Sequence, residues 1–500
     1  MKTKDRMVVF NHAYVLQHDL KRTFIYSRKN LPKIEAVNVL VSEPWFTQIH
    51  PLYAMMFSLA SKPIALSDFV FKVASFFEIS EDKSEQLILP FLDRTDPFYS
   101  HFDGVTSQFP KQVLIDVEKA IFPADLYTPQ MFAFKSLDFQ TERAFYAPRT
   151  VVFMPNSTCT TRCVYCYADR SHLSAKMDFQ KVRSILEECR KLRVMSFSIT
   201  GGDIFVYPHW RDLLACMKDN GFAIGLLSTK TPLRREDIIF LKQYDVNLQF
   251  SLDSVDPKVL KAMVGMDSSY LERVRQTFTY CEEEGLFFKA ATVLTTLNSD
   301  LANIDALYAF LKTFSVCHLW EIRLANRSLY SRKNFDELRL DQKGVICIDE
   351  RIKTLQASSK IEISWSANNN KYYFEGKEGS RSFKGARCSA NYSNMMILPD
   401  GKVTICEQLY WKPRYIIGDL MEQTIPEVWS SEHALALAYP RKECFRDVSP
   451  CKTCKLFDAC YAYPNRCIVD VLKGYGEEND DFPDPRCEKA PALLHELCHV

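Results

Sequence analysis

At 500 residues the chain is too long for one ordinary core, and a span of about 100 to 200 residues per domain implies about three domains. Its 63 Lys plus Arg against 62 Asp plus Glu give no overall pull toward nucleic acid or an acidic membrane, so a small molecule or peptide is the expected substrate. The sequence holds no apolar run of about 18 residues and no secretory signal after MKTKDRMVVF; a cytoplasmic location is expected, where 17 Cys point to metal before disulfides.

The first segment alternates like a small antiparallel sheet. Tyr14 and Leu16 mark one strand, Phe24 and Tyr26 the next, and Ala36 to Val41 a third. His50 to Ala60, Leu66 to Phe77 and Glu81 to Leu92 then carry apolar residues at helical spacing, with Ser67 and Ser80 placed as N-caps. A sheet followed by three short helices is a winged-helix-like α+β domain, residues 1–110, and a polar and aromatic connector fills 111–147. Winged helices also read DNA, but Leu66 to Phe77 offers only Lys72 against Asp68 and the third helix is mainly acidic, which disfavours that use.

From Val151 the pattern becomes strands alternating with helices, the signature of parallel strands with crossover helices. Strands are predicted at Val151 to Met154, Met195 to Thr200, Ala223 to Thr229, Asn247 to Leu252, Phe288 to Leu294 and His318 to Ile322, with helices such as Phe179 to Leu192 and Ile238 to Gln243 between them. These six repeats fall short of the eight that close a barrel. The fold expected over 148–370 is a partial (β/α)6 TIM-like barrel, open on one side to a bulky substrate. Beyond Arg387 apolar periodicity fades and cysteines crowd together, so the domain over 385–490 is expected to depend on metals or cross-links for its order.

Just after the first barrel strand stand Cys159, Cys163 and Cys166, in CTTRCVYC. Three thiolates this close can hold three irons of a cubane and leave the fourth iron open; the bland alternative is incidental buried thiols. The spacing resembles the CxxxCxφC motif of the radical S-adenosylmethionine superfamily, in which an aromatic precedes the last cysteine. The resemblance implies a 4Fe-4S cluster on these cysteines that splits S-adenosylmethionine, with Tyr165 against the adenine. Ser198-Ile199-Thr200-Gly201-Gly202-Asp203 resembles the family's Gly-Gly-Glu motif, which contacts the amino group of the methionine moiety. Asp203 is one methylene shorter than the usual Glu, which opens the question of an indirect contact. Phe250-Ser251-Leu252-Asp253 is similar to the ribose-contacting segment and implies Ser251 and Asp253 there, although the histidine and arginine that often follow are absent from Pro257 to Gly265.

The C-terminal cysteines follow a second pattern: Cys388, Cys406, then Cys451-x2-Cys454-x5-Cys460, then Cys467 and Cys487. This resembles the SPASM domain, which binds auxiliary iron-sulfur clusters in enzymes that modify peptides. Carried over, its interleaved ligation puts Cys451, Cys454, Cys460 and Cys487 on one cluster and Cys388, Cys406 and Cys467 on the other. Ser382 stands near the place of a further upstream ligand, so the second cluster is left with an open iron, a non-cysteine ligand or a distant thiol such as Cys444 or Cys498. Structural zinc is the alternative, and seven ligands suit two zincs poorly. Cys189, Cys216, Cys281, Cys317 and Cys347 are expected to be small buried hydrophobes.

The order of elements in the first domain resembles the peptide-recognition element of ribosomal-peptide maturases, in which a leader adds as a strand, here near Glu35 to Val41. Together the resemblances imply a peptide maturase that abstracts hydrogen and forms a thioether or carbon-carbon crosslink. Its cofactors would be S-adenosylmethionine and three 4Fe-4S clusters. Its partners would be a precursor peptide with a leader and an external reductant such as flavodoxin or ferredoxin, with no nucleic acid and no membrane. Two rivals are a sulfatase-type maturase that makes formylglycine and a zinc-stabilised winged-helix regulator; the regulator leaves the three-cysteine motif and the six repeats unexplained.

Overall fold

The structure, a computed structural model, describes residues 6–28, 45–120, 125–172, 176–331, 333–365 and 388–497. The strand expected over Ala36 to Val41 lies outside them, as do Ser382 and Cys498. Contacts gather the chain into two units: residues through 149 with 186–196 and 220–223 form the first, and the remainder forms the second.

Strands of the first unit are β1 (Met7–Phe10), β2 (Tyr14–His18), β3 (Thr23–Ser27), β4 (Phe46–Ile49), β5 (Ile64–Ala65), β6 (Phe98–Phe102), β7 (Val105–Phe109) and β8 (Leu114–Asp116). β2, β3 and β4 make an antiparallel meander, and β1 runs between β5 and β8, antiparallel to both. β6 and β7 are a hairpin turned at Asp103 and Gly104, whose φ of 48° and 74° give the two-residue turn that matches strand twist. β8, from the stretch read as a connector, thus completes a sheet with β1.

Three helices follow β4: Pro51–Ser58, Leu66–Phe77 and Glu81–Ile88. Ser80 caps the third as expected, accepting the Lys83 N–H at 3.3 Å. Ser67 does not cap the second: pairing with β1 keeps the chain extended through Ala65, which becomes the N-cap, so the helix starts at Leu66. The core of this unit is aromatic. Phe57 meets Phe91 edge to face at 4.9 Å between centroids, and Phe91 meets Phe109 likewise, a preferred arrangement for such rings.

The second unit carries β9 (Thr150–Phe153), β10 (Ser196–Ile199), β11 (Leu226–Thr229), β12 (Asn247–Ser251), β13 (Phe288–Leu294), β14 (Cys317–Leu324) and β15 (Glu362–Trp365), with helices between them. The first six are the predicted strands; β15, after the helix Gln342–Ser358, is a seventh. β11 to β15 lie side by side in chain order, all parallel, the partial TIM-like barrel that the alternation implied. β16 (Asn394–Ile397), β17 (Lys402–Thr404) and β18 (Ile416–Asp419) extend a second sheet in the order β10-β9-β16-β17-β18, with β16 parallel to β9.

Alternation along β11 to β14 separates two faces. Leu248, Phe250, Phe288, Ala290, Trp320 and Ile322 are buried, and Phe250 and Phe288 pack on Phe278 of the helix Tyr270–Glu284 at 5.1 and 4.4 Å. Ser228, Gln249, Ser251, Lys289, Glu321 and Arg323 occupy the other face, and none is buried. Parallel sheets are normally covered with apolar side chains on both faces; this one keeps a polar face open.

Cys189, Cys281 and Cys317 are buried as expected and Cys216 is half-buried. Cys347 is exposed, because the helix Gln342–Ser358 buries Val345, Ile348, Ile352 and Leu355 and turns Cys347 off that stripe. Among the described residues no helix is long and apolar enough to cross a membrane.

Candidate active site and cysteine-rich centres

The loop after β9 holds Cys159, Cys163 and Cys166, all half-buried. Its backbone is tied down residue by residue: the N–H groups of Arg162 and Val164 donate to the carbonyls of Val264 and Met263 at 2.8 and 2.9 Å. Arg170 donates to the Thr161 carbonyl at 2.6 Å, and Ser328 and Ser331 donate to the carbonyls of Cys166 and Val164 at 3.1 and 2.8 Å. The Ala168 N–H points at the Cys166 Sγ at 3.4 Å. Burial pushes the Cys159 thiol up to about 12, so a metal that takes its thiolate must displace a proton.

Gly201 and Gly202 let the end of β10 pass under this loop. A Cβ on Gly202 would lie 2.2 Å from the Thr158 carbonyl oxygen, and one on Gly201 would lie 2.5 Å from Met154 Cγ, at a φ of 121° that disfavours any side chain. The N–H groups of Gly202 and Asp203 donate to the carbonyls of Asn156 and Thr158 at 2.9 and 2.7 Å. Asp203 is buried, and its carboxylate meets five protein donors: the hydroxyls of Thr229 and Thr231 at 2.6 and 2.7 Å and the N–H groups of Phe205, Lys230 and Thr231. It clips the end of β10 to the end of β11.

Asp253, just past β12, gathers the next set of partners. Its Oδ2 accepts from the Tyr165 hydroxyl at 2.6 Å and from Lys230 Nζ at 2.8 Å, and its Oδ1 accepts the Val293 N–H at 3.0 Å. Asn298 and Asn303 both donate to its carbonyl. Burial opposes charge on Lys230, yet the Asp253 carboxylate holds its ammonium above the ordinary range. Ser251 lies two residues away on the open face, where its hydroxyl meets that of Ser228 at 3.4 Å. One rung of that face pairs Ser251, Ala291, Glu321 and Ser364 across four strands. Glu321 takes ion pairs from both Lys289 and Arg323; burial alone would raise it, but the two cations hold it below the usual carboxylate range.

Among the C-terminal cysteines two neighbourhoods can be told apart. Cys388 and Cys467 share a hydrogen bond that lowers Cys388 and raises Cys467, and Cys388, Cys406 and Cys467 line one cavity. Cys460 lies within electrostatic reach of Cys451, Cys454 and Cys487, and it also lines the wall of that cavity. Cys444 is exposed and lines a different cleft with Arg414, His433 and Arg441.

The Radical SAM superfamily matches residues 154–302, and the SPASM iron-sulfur cluster-binding domain matches residues 388–455. Residues 154–302 thus form a domain of the radical SAM superfamily. The antilisterial bacteriocin subtilosin biosynthesis protein AlbA of Bacillus subtilis (strain 168) is 25% identical over 319 residues, which cover 61% of this chain and 66% of AlbA, just under two thirds of that relative. A probable GTP 3',8-cyclase of Methanosarcina mazei is 22% identical over 50% of this chain and 74% of its own length. In three dimensions the chain is similar to Streptococcus suis SuiB bound to precursor peptide SuiA, with a TM-score of 0.58 at 16% identity over 96% of this chain and 100% of that one.

For a radical SAM domain the donor set fits the cofactor. The loop offers three thiols, the choice of iron-sulfur clusters, and the carbonyls of Thr161, Val164 and Cys166 are already bound. The polar face that carries Ser228, Gln249 and Ser251 stays accessible to solvent. Lys230, Asn298, Asn303 and the Lys289–Glu321–Arg323 group escape sequence reasoning. So does Glu407, which follows Cys406 and accepts from Thr200 Oγ1 at 3.3 Å; burial raises its carboxyl. Lys230 had a local signal, as the residue after a strand end in Thr229-Lys230-Thr231; the others depend on which strands lie side by side.

Proposed function

We propose that the enzyme modifies a ribosomally made precursor peptide by hydrogen abstraction and forms a thioether or carbon-carbon crosslink. In this reading 1–110 captures the leader, 111–147 connects, 148–370 is the barrel and 385–490 the auxiliary domain. Cys159, Cys163 and Cys166 hold the catalytic cluster. Cys451, Cys454, Cys460 and Cys487 hold one auxiliary cluster, and Cys388, Cys406 and Cys467 the other. Bound at its three cysteines, the catalytic cluster would supply the electron for reductive cleavage of S-adenosylmethionine into methionine and a hydrogen-abstracting 5′-deoxyadenosyl group. Tyr165, fixed through its hydroxyl to Asp253, presents its ring to the adenine. Ser251 faces the ribose, and Asp253, buried with its oxygens taken by Tyr165, Lys230 and the Val293 N–H, acts on it indirectly. Gly201 and Gly202 bring main-chain groups to the methionine moiety, and Asp203 acts on it indirectly, because its oxygens are occupied by Thr229, Thr231 and three N–H groups. A flavodoxin or ferredoxin in the cytoplasm serves as reductant.

The likeness to SuiB over 96% of the chain carries the reading, because it includes the first unit, which a GTP cyclase-like match over half the chain does not require. The test is anaerobic co-expression with a candidate precursor peptide. The expected product is lighter by two hydrogens, keeps its sulfur and has no aldehyde. Replacing Cys159, Cys163 and Cys166 together with Ala should abolish 5′-deoxyadenosine formation and remove one cluster's iron. A hydrazine-reactive aldehyde in the product would instead establish the formylglycine-forming alternative.

A further inference from the structure

The two cysteine sets of the SPASM region sit in different electrostatic surroundings. Around Cys451, Cys454, Cys460 and Cys487 the charges are mainly positive. Lys489 Nζ lies 3.6 Å from Cys454 Sγ, and the Lys489 N–H lies 3.4 Å from Cys487 Sγ. Lys442 Nζ donates to the Cys454 carbonyl at 2.8 Å, and Arg466 is anchored on the Phe482 carbonyl at 2.9 Å, within electrostatic reach of Cys451 and Cys460. One carboxylate, Asp484, acts on Cys487.

Around Cys388, Cys406 and Cys467 carboxylates outnumber cations, with Glu407 acting on Cys406 beside the two aspartates. Asp484 accepts the Cys467 N–H at 2.8 Å, and Asp470 acts on both Cys388 and Cys467. Arg486 ion-pairs with both aspartates, at 2.9 Å to Asp470 and 2.5 Å to Asp484. Lys473, bound to Gln408 at 2.7 Å, is the other cation.

Reduction adds one negative charge to a thiolate-held cluster. Cations and hydrogen bonds at its sulfurs favour the reduced form, and nearby carboxylates oppose it. Resting on the ligand sets proposed above, the geometry points to Lys489 as the residue that sets the potential of the centre at Cys451, Cys454, Cys460 and Cys487, making it the easier of the two auxiliary centres to reduce. Lys489 is a positioning residue for charge and touches no substrate. Electrons from the outside or from a substrate radical would collect at this centre.

The experiment is a potentiometric titration followed by electron paramagnetic resonance, with full-length protein in which Cys159, Cys163 and Cys166 are Ala, so that only auxiliary centres remain. Two one-electron waves are expected. Lys489→Gln should lower the upper wave by about tenfold in the reduction equilibrium, about 59 mV for one electron, and leave the lower wave and the iron content unchanged; Lys489→Arg should restore it. Should Lys489→Gln lose iron, the unsubstituted side chain is read by salt instead, since raising ionic strength screens an exposed ammonium and should lower the upper wave only. An upper wave that does not respond to Lys489→Gln or to salt, or a response in the lower wave, overturns the inference. Iron for fewer than two clusters in the Cys→Ala background would overturn the ligand sets themselves, a different result.

Discussion

The first unit and the cysteine-rich stretch from Cys388 onward hold their chains in opposite ways. The first unit buries a continuous set of apolar side chains, from Val8 and Phe10 through Phe57, Phe69 and Phe91 to Phe109 and Phe132. The segment around Cys451 packs a small cluster, Phe445, Cys451 and Phe457 with Cys454 and Tyr461 against them. Burying an aromatic side chain gains about 1.5–3 kcal/mol, so the first unit has the means to order itself through apolar contact alone. A segment whose small core includes the proposed cluster ligands Cys451 and Cys454 would draw its order from binding. Apolar packing and metal ligation are thus two routes to a fixed backbone within one chain, and they fail under different treatments.

Stripping the iron should separate the two regions most. Hydrogen exchange at amides from Cys451 to Tyr461 should accelerate at least about a hundredfold, while those of Val8 to Phe10 keep their protection; equal loss in both would break the comparison. Phe57→Ala runs the other way. It should cost about 3–5 kcal/mol in urea unfolding of the first unit and leave the iron content unchanged. The smallest expected effect is that of acid on the first unit. Burial lowers His12 to about 4, from an ordinary 6.5. The unfolded chain takes up the proton first, so stability present above pH 6.5 is lost as pH falls toward 4. By pH 5.5 this amounts to about 1 kcal/mol after solvent screening. Urea midpoints at pH 7 and pH 5.5, with His12→Asn as the flat control, measure it.

What was legible in the sequence was whatever lay close along the chain. Cys159, Cys163 and Cys166 share one loop, and the six predicted strands each announced themselves by a short apolar run. The hairpin of β6 and β7 was legible too, since Asp103-Gly104 between Phe98 and Phe109 is a strong two-residue turn signal, although no strand was predicted there. The start of the second helix was not legible, because the pairing of β5 with β1, more than fifty residues earlier, decides it. The motif glycines could be named, but four of the five donors that fill the Asp203 carboxylate come from Thr229 to Thr231, a separate stretch at the end of the next strand. Glu321, Lys289 and Arg323 become a group only once β13 and β14 are in register, and no local pattern encodes that.

β9 and β16 bond main chain to main chain although more than two hundred residues separate them. Any attempt to study the barrel by cutting the chain before residue 388 would strip β9 of this neighbour and leave a row of bare N–H and C=O groups, the kind of edge that recruits other chains into aggregates. The boundary suggested by composition near residue 385 is therefore a poor place for scissors. A barrel fragment would need a donated strand in the place of Asn394–Ile397 to remain in solution as a monomer.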